Sequence, residues 1–222
     1  MATLRHVREP RALLFASLPM LFAVHQLTEG FVWLGLEGRI GKVALDHVAF
    51  LFMIYAQGIL PFLLPLAVLL MEPRGPRRAA VLGLTAVGAL VGVWNIIGVV
   101  GFPSRVFVEH HSIAYRNPLT GSFSISCLYV LATCGALLLS THRGVRSYGL
   151  VNVIALTVAQ LFKEYAFASV WCFYAALLSI MIYWQFNRRN IEIETPNERS
   201  TIPAKFLLPW LRGIRTIRPV ET

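Results

Sequence analysis

Long runs of apolar residues, broken by short polar clusters, set the pattern of this chain. Runs at 12–36, 44–71, 79–101 and 121–140 are each long enough, at about 1.5 Å of rise per helical residue, to cross a hydrocarbon layer about 30 Å thick. Two shorter runs, 145–162 and 165–186, are parted only by Lys163 and Glu164, which predicts a tight antiparallel pair of helices. The expected fold is all-α, a polytopic transmembrane helical bundle with six spans. "MEPRGPRR" at 71–78 separates the second span from the third through Pro73 and Pro76, and 102–120 is the longest loop. Pro61 and Pro65 should kink the second helix. Gly88 and Gly92 in "GALVG" should let the third pack closely, with Ser124, Ser126 and Thr133 serving further helix contacts. No internal repeat is visible, which weighs against an inverted-repeat transporter.

Composition supports a membrane protein. Of 222 residues, 56% are hydrophobic and 14% charged, far from the balance of a soluble domain. A net charge of +9 would suggest a nucleic-acid partner in a soluble chain, but the placement of the charges points to a lipid bilayer instead. If the N-terminus is inside, the inner segments hold Arg5, Arg8 and Arg11, then Arg74, Arg77 and Arg78, then Arg143 and Arg146, and seven more basic residues after residue 187. Those are 15 of the 20 Lys and Arg; the outer loops keep Arg39, Lys42, Arg105, Arg116 and Lys163. Short cytoplasmic loops are enriched in basic residues, so both termini are expected in the cytoplasm. The first apolar run is too long for a cleavable signal peptide. The expected divisions are a cytoplasmic N-terminus at 1–11, a transmembrane domain at 12–186 and a basic cytoplasmic tail at 187–222. In that tail, apolar Phe206, Leu207, Trp210, Leu211 and Ile214 alternate with Lys205, Arg212, Arg215 and Arg218. This pattern suits either a helix lying on an anionic leaflet or a disordered basic segment.

The polar residues inside the runs carry the candidate chemistry. His25 and Glu29 are one helical turn apart and Trp33 lies one turn beyond, which places them on one stripe of the first helix. Gln26 lies beside them. Asp46 and His47 open the second span, Trp94 and Asn95 lie in the outer half of the third, and His110 and His111 fall in the outer loop after Glu109. Glu164 and Trp171 belong to the start of the sixth span. Ionisable groups near a bilayer centre are costly and usually face protein or water, so their clustering toward one face predicts an outward-opening polar pocket. That pocket would be formed by His25, Gln26, Glu29, Trp33, Trp94, Asn95, Glu164 and Trp171.

Three uses fit it. Carboxylates between tryptophan walls would bind a cationic or hydroxylated small molecule. A divalent metal held by His25, Glu29, His47 and His110, with Asp46 or His111 nearby, would activate water against a lipid-like substrate. His25 and Glu29 would also suit a proton relay in a carrier. The structural reading of the same stripe is helix packing, with Trp33 and Trp171 as interfacial anchors. The three cysteines, Cys127, Cys134 and Cys172, lie inside apolar runs without CxxC spacing, which predicts reduced, packed thiols. A retinal Schiff base would need a lysine deep in the bundle, and Lys42, Lys163 and Lys205 are not so placed. GxSxG, HExxH and phosphate-loop motifs are absent from the sequence.

"LFAVHQLTEGFVWLGL", with Gln26, Glu29, Gly30 and Trp33 as Q-x-x-EG-x-x-W, and "FASVWCFYAALLS", with Ser169, Val170, Trp171 and Cys172, resemble a family of bacterial multi-pass membrane proteins classed as a domain of unknown function. The resemblance covers roughly 4–186 and implies a multi-pass helical fold in the bacterial inner membrane, without an activity to carry over. Members open with a short Cys-Phe-Ser-Ala segment and one more apolar helix, whereas this chain starts at Met1-Ala2-Thr3. The resemblance therefore implies a seven-helix relative. The leading expectation is binding of a small or lipidic ligand in the outer pocket, as in a sensor or carrier. Its alternatives are a metal-dependent membrane hydrolase and a structural subunit that pairs with a membrane partner or with further copies of itself.

Overall fold

The computed structural model describes residues 4, 7, 9–109, 112–162, 174 and 179–184, all within one compact unit, Met1–Ile191. Glu164, Trp171 and Cys172, the pair His110 and His111, and the basic tail lie outside the described residues, as does most of the run at 165–186.

The described chain is mostly helical. A short 3-10 turn at Pro10–Ala12 leads into α1, Leu13–Leu36. The second apolar run holds α2, Lys42–Met53, a π-helical turn at Ile54–Ile59, and α3, Leu60–Met71. Next come α4, Pro76–Gly101, a hairpin of β1, Arg105–Glu109, and β2, Ser112–Arg116, then α5, Phe123–Leu139, and α6, Arg143–Phe162. The segments Pro10–Leu36, Lys42–Met71 and Pro76–Gly101 are each long and apolar enough to cross a membrane, and Phe123–Leu139 is a shorter apolar helix. Each of the first five apolar runs becomes a helix within a few residues of its expected bounds. The second starts two residues early, which moves Asp46 and His47 from its first residues into its second turn.

The packing follows from small residues and from proline. α1 packs on α2, α3 packs on α4 and α5, and α5 also packs on α6. Phe15 of α1 meets Tyr148 of α6 edge to face at 6.1 Å, both fully buried, which brings the first and sixth helices together. Gly88 and Gly92 form the face of α4 that approaches the second run. A Cβ at Gly92 would collide with the carbonyl oxygen of Gly58, and one at Gly88 with that of Pro61. Only glycine allows backbones this close.

Pro61 closely follows the π-helical turn and frees two of its carbonyls. Without an N–H, it leaves the carbonyl of Gln57 without its helical i→i−4 donor, and the carbonyl of Ala56 without the i→i−5 donor of a π register. Side chains from other helices supply both. Asn95 Nδ2 of α4 donates to Gln57 O at 2.9 Å, and Tyr129 OH of α5 donates to Ala56 O at 2.6 Å. Carbonyls freed by a proline in an apolar setting are commonly satisfied in this way by neighbouring helices.

The 102–120 segment departs from the all-α expectation. "RVFVE" and "SIAYR" pair antiparallel, with Arg105 opposite Arg116 and Glu109 opposite Ser112. Ile113 is fully buried in a cluster with Val32 of α1 and Ala49 of α2, flanked by Trp33, Leu36, Leu45, Val48, Val106 and Tyr115. Asn117 fixes the hairpin to the end of α4: its Nδ2 donates to Gly98 O at 3.0 Å, to Phe102 O at 3.3 Å and to Ser104 Oγ at 3.0 Å. Its Oδ1 accepts from Leu119 N at 3.0 Å.

Candidate functional site

α1 buries two of the polar residues singled out from the sequence. His25 is 3% and Glu29 4% exposed, as a shared helical face requires for residues four apart. Gln26 is half-buried, and its Nε2 donates to Glu29 Oε2 at 3.2 Å. The imidazole of His25 stacks on Phe52 of α2 at 4.1 Å and 15° and lies tilted against Tyr55 of the π-helical turn at 4.6 Å. Phe52 in turn stacks on Tyr115 of β2 at 4.5 Å and 11°. The site is therefore a stack of rings that runs from α1 through α2 to the hairpin, with an amide and a carboxylate beside the imidazole.

Several polar atoms here have no hydrogen-bond partner among the described residues. They are His25 Nε2, Gln26 Oε1, Gln57 Oε1 and Asn95 Oδ1, all buried. The donations by Gln26 to Glu29 and by Asn95 to Gln57 O fix which end of each of those two amides is the oxygen. Both oxygens are acceptors, so the group they suit is a hydrogen-bond donor. An unmet buried polar atom costs about 1–3 kcal/mol, so each of these atoms calls for water or a polar ligand as its partner.

A model of the family of unknown function DUF6629 matches residues 1–197. The chain belongs to that family. No curated protein and no solved structure matches it significantly. DUF6629 membership covers the whole described part of the chain, including the ring stack and the hairpin above it.

The other expected site residues of this DUF6629 chain take varied positions. Trp33 is half-buried against the Val32, Ala49 and Ile113 cluster. Asn95 is 3% exposed and turned toward the second run, whereas Trp94 is 46% exposed, with its Nε1 donating to Leu119 O at 3.4 Å. Asp46 and His47 are exposed, and His47 Nδ1 is bonded to Val43 O of its own helix at 2.6 Å. Among the described residues, no three His, Cys, Asp or Glu side chains are placed to hold a metal ion. Cys134 is buried, but Cys127, expected to be packed, is exposed.

Sequence reasoning passed over Phe52, Tyr55, Gln57 and Tyr115, because each reads as an ordinary member of an apolar run or loop. Only the position of Gln57 four residues before Pro61 signals a carbonyl in need of a donor. It also passed over a second polar centre of the DUF6629 fold. Glu72 is 2% exposed at the end of α3, and its carboxylate accepts from Ser140 Oγ at 3.1 Å and from Thr141 N at 3.0 and 3.1 Å. Arg78 Nη1 donates to Leu69 O at 2.6 Å and to Glu72 O at 2.8 Å, and His142 Nε2 lies 3.2 Å from Met71 O. This centre joins the α3–α4 and α5–α6 connections.

Proposed function

We propose that the chain is an integral protein of a bacterial inner membrane, with six spans and both termini cytoplasmic. In this reading it binds a small or lipidic ligand in a pocket of its outer half, as a sensor or carrier does. The excess of Lys and Arg in alternate loops supports the topology. The observation that carries the ligand reading is His25: a 3% exposed imidazole, stacked on Phe52, whose Nε2 has no partner among the described residues. With Glu29 and the amide oxygens of Gln26 and Asn95, it favours a ligand that donates hydrogen bonds, an amine or a hydroxylated amphiphile, against an aromatic wall. Trp33 borders that wall, and Glu164 and Trp171 are proposed to complete it.

The test is thermal unfolding of the detergent-purified chain with a panel of alkylamines and polyhydroxylated amphiphiles, wild type beside Glu29→Gln. A ligand at about a hundred times its Kd adds about 2.7 kcal/mol of stability. Concentration-dependent stabilisation of wild type that disappears in Glu29→Gln supports the pocket. Equal stabilisation of both proteins, or of neither, removes it.

A further inference from the structure

The second polar centre brings four cations together. Glu72 bonds Ser140 and Thr141, and His142 lies against Met71, so the α3–α4 connection, with Arg74 in it and Arg77 in the first turn of α4, is fastened to the α5–α6 connection, which leads into Arg143 and Arg146 in the first turn of α6. All four arginines are exposed. The two ion pairs among the described residues, Glu37 with Arg39 and Glu109 with Arg116, involve none of them. Glu72 is turned inward onto hydroxyl and amide donors, and Arg78 is engaged by backbone carbonyls. Four guanidiniums thus share one end of the bundle, each able to bind a phosphate oxygen pair in a fork.

Apolar surface begins directly beside them. Leu70, four residues before Arg74, is 39% exposed; Leu82, one turn and a half after Arg77, is 57% exposed. On the other side, Leu139 is 41% and Leu150 56% exposed. Charge alone would suit any phosphate. Exposed leucines within a turn or two of every arginine suit an anion that also has hydrocarbon chains.

We infer that Arg74, Arg77, Arg143 and Arg146 form a binding site for the headgroup of an anionic phospholipid, with its acyl chains along the neighbouring leucines. The inference rests on the membrane-spanning reading but not on the ring-stacked pocket. Glu72 acts here as a positioning residue that holds the two arginine pairs side by side.

The test uses the full chain purified in a neutral detergent, with bound lipid counted by native mass spectrometry and stability followed by thermal unfolding. Phosphatidylglycerol, phosphatidylcholine and inorganic phosphate are added separately. Phosphatidylglycerol should bind and raise the melting temperature, while the other two should not. Each arginine near an anionic surface contributes a factor of about five to association, so Arg74→Gln/Arg77→Gln and Arg143→Gln/Arg146→Gln should each weaken binding by roughly tenfold or more. Two pairs are used because the quadruple variant risks misinsertion. Equal binding of phosphatidylcholine, full reproduction of the effect by inorganic phosphate, or unchanged phosphatidylglycerol affinity in both paired variants would overturn the site. A chain that stays monodisperse without detergent would instead overturn the membrane reading beneath it.

Discussion

Asn95 of α4 and Gln57 of the π-helical turn are 38 positions apart in the chain, yet the side-chain amide of Asn95 donates to the backbone carbonyl of Gln57 at 2.9 Å. Pro61 is the reason this bond is needed, because a donor at position 61 would otherwise close the helical turn. Asn95→Ala should cost about 1–3 kcal/mol, the penalty for a buried acceptor left unmet. Pro61→Ala restores an N–H, so Asn95→Ala in that background should cost less. A double-mutant cycle on unfolding free energies measures the difference; additive costs would show that the two residues do not share the carbonyl.

Tyr129 makes the companion bond to Ala56 O at 2.6 Å. Tyr129→Phe keeps the ring and removes only the donor. A loss of about 1–2 kcal/mol is expected, read as a lower melting temperature with helix content unchanged by circular dichroism.

The close approach of α4 to the second run separates its glycines into two kinds. An added methyl at Gly92 or Gly88 meets the carbonyl of Gly58 or Pro61, whereas one at Gly83 meets nothing within 4 Å. Gly92→Ala and Gly88→Ala should each destabilise by about 1–3 kcal/mol or more through overpacking. Gly83→Ala should be neutral or slightly stabilising, since alanine is the better helix former. If all three variants behaved alike, the glycine contact would not be what sets the distance between these helices.

Glu72 presents a different balance. Its carboxylate receives Ser140 Oγ and Thr141 N, so Glu72→Ala should cost about 1.5–3 kcal/mol, the range for hydrogen bonds to a charged group. Glu72→Gln keeps one acceptor and should recover part of it. Limited proteolysis provides the readout: cleavage after Arg143 and Arg146 should accelerate in Glu72→Ala. Unaltered cleavage would mean that the two loops are held together by other contacts.

The aromatic stack allows the proposed ligand binding to be tested apart from folding. His25→Phe keeps a ring against Phe52 and removes the unmet Nε2, so the fold should be as stable as wild type or more so, because aromatic pairs contribute about 0.5–1.5 kcal/mol beyond burial. Ligand-induced stabilisation should be lost in the same variant. A variant that unfolds early would indicate that the imidazole serves packing through a bond of its own.

The sequence shows the helices clearly because an apolar run of helical span length has few other uses in a chain this poor in charge. The pairing of His25 with Glu29 on one face was equally legible, since it depends only on spacing along α1. The π-helical turn was not, because it depends on where Pro61 meets two donors carried by helices still to come. Nor was the hairpin: its strands are five residues each, and their inward face is defined by Val32 and Ala49 rather than by anything in the loop. Glu72 lay in a stretch that reads as a polar turn. Its burial follows from backbone N–H and hydroxyl partners 68 and 69 positions away, which no local pattern contains.

The carbonyls freed by Pro61 also bear on the order of assembly. A chain made from its N-terminus presents residues 54–61 well before Asn95, and longer still before Tyr129, which lies 73 positions beyond its acceptor. During synthesis the second helix therefore has two exposed acceptors that nothing yet translated can satisfy. It reaches its final form only when the fifth helix arrives, so α2 and α3 are early to emerge from the ribosome and late to settle. A truncated chain ending between α4 and α5 would keep Ala56 O without its donor.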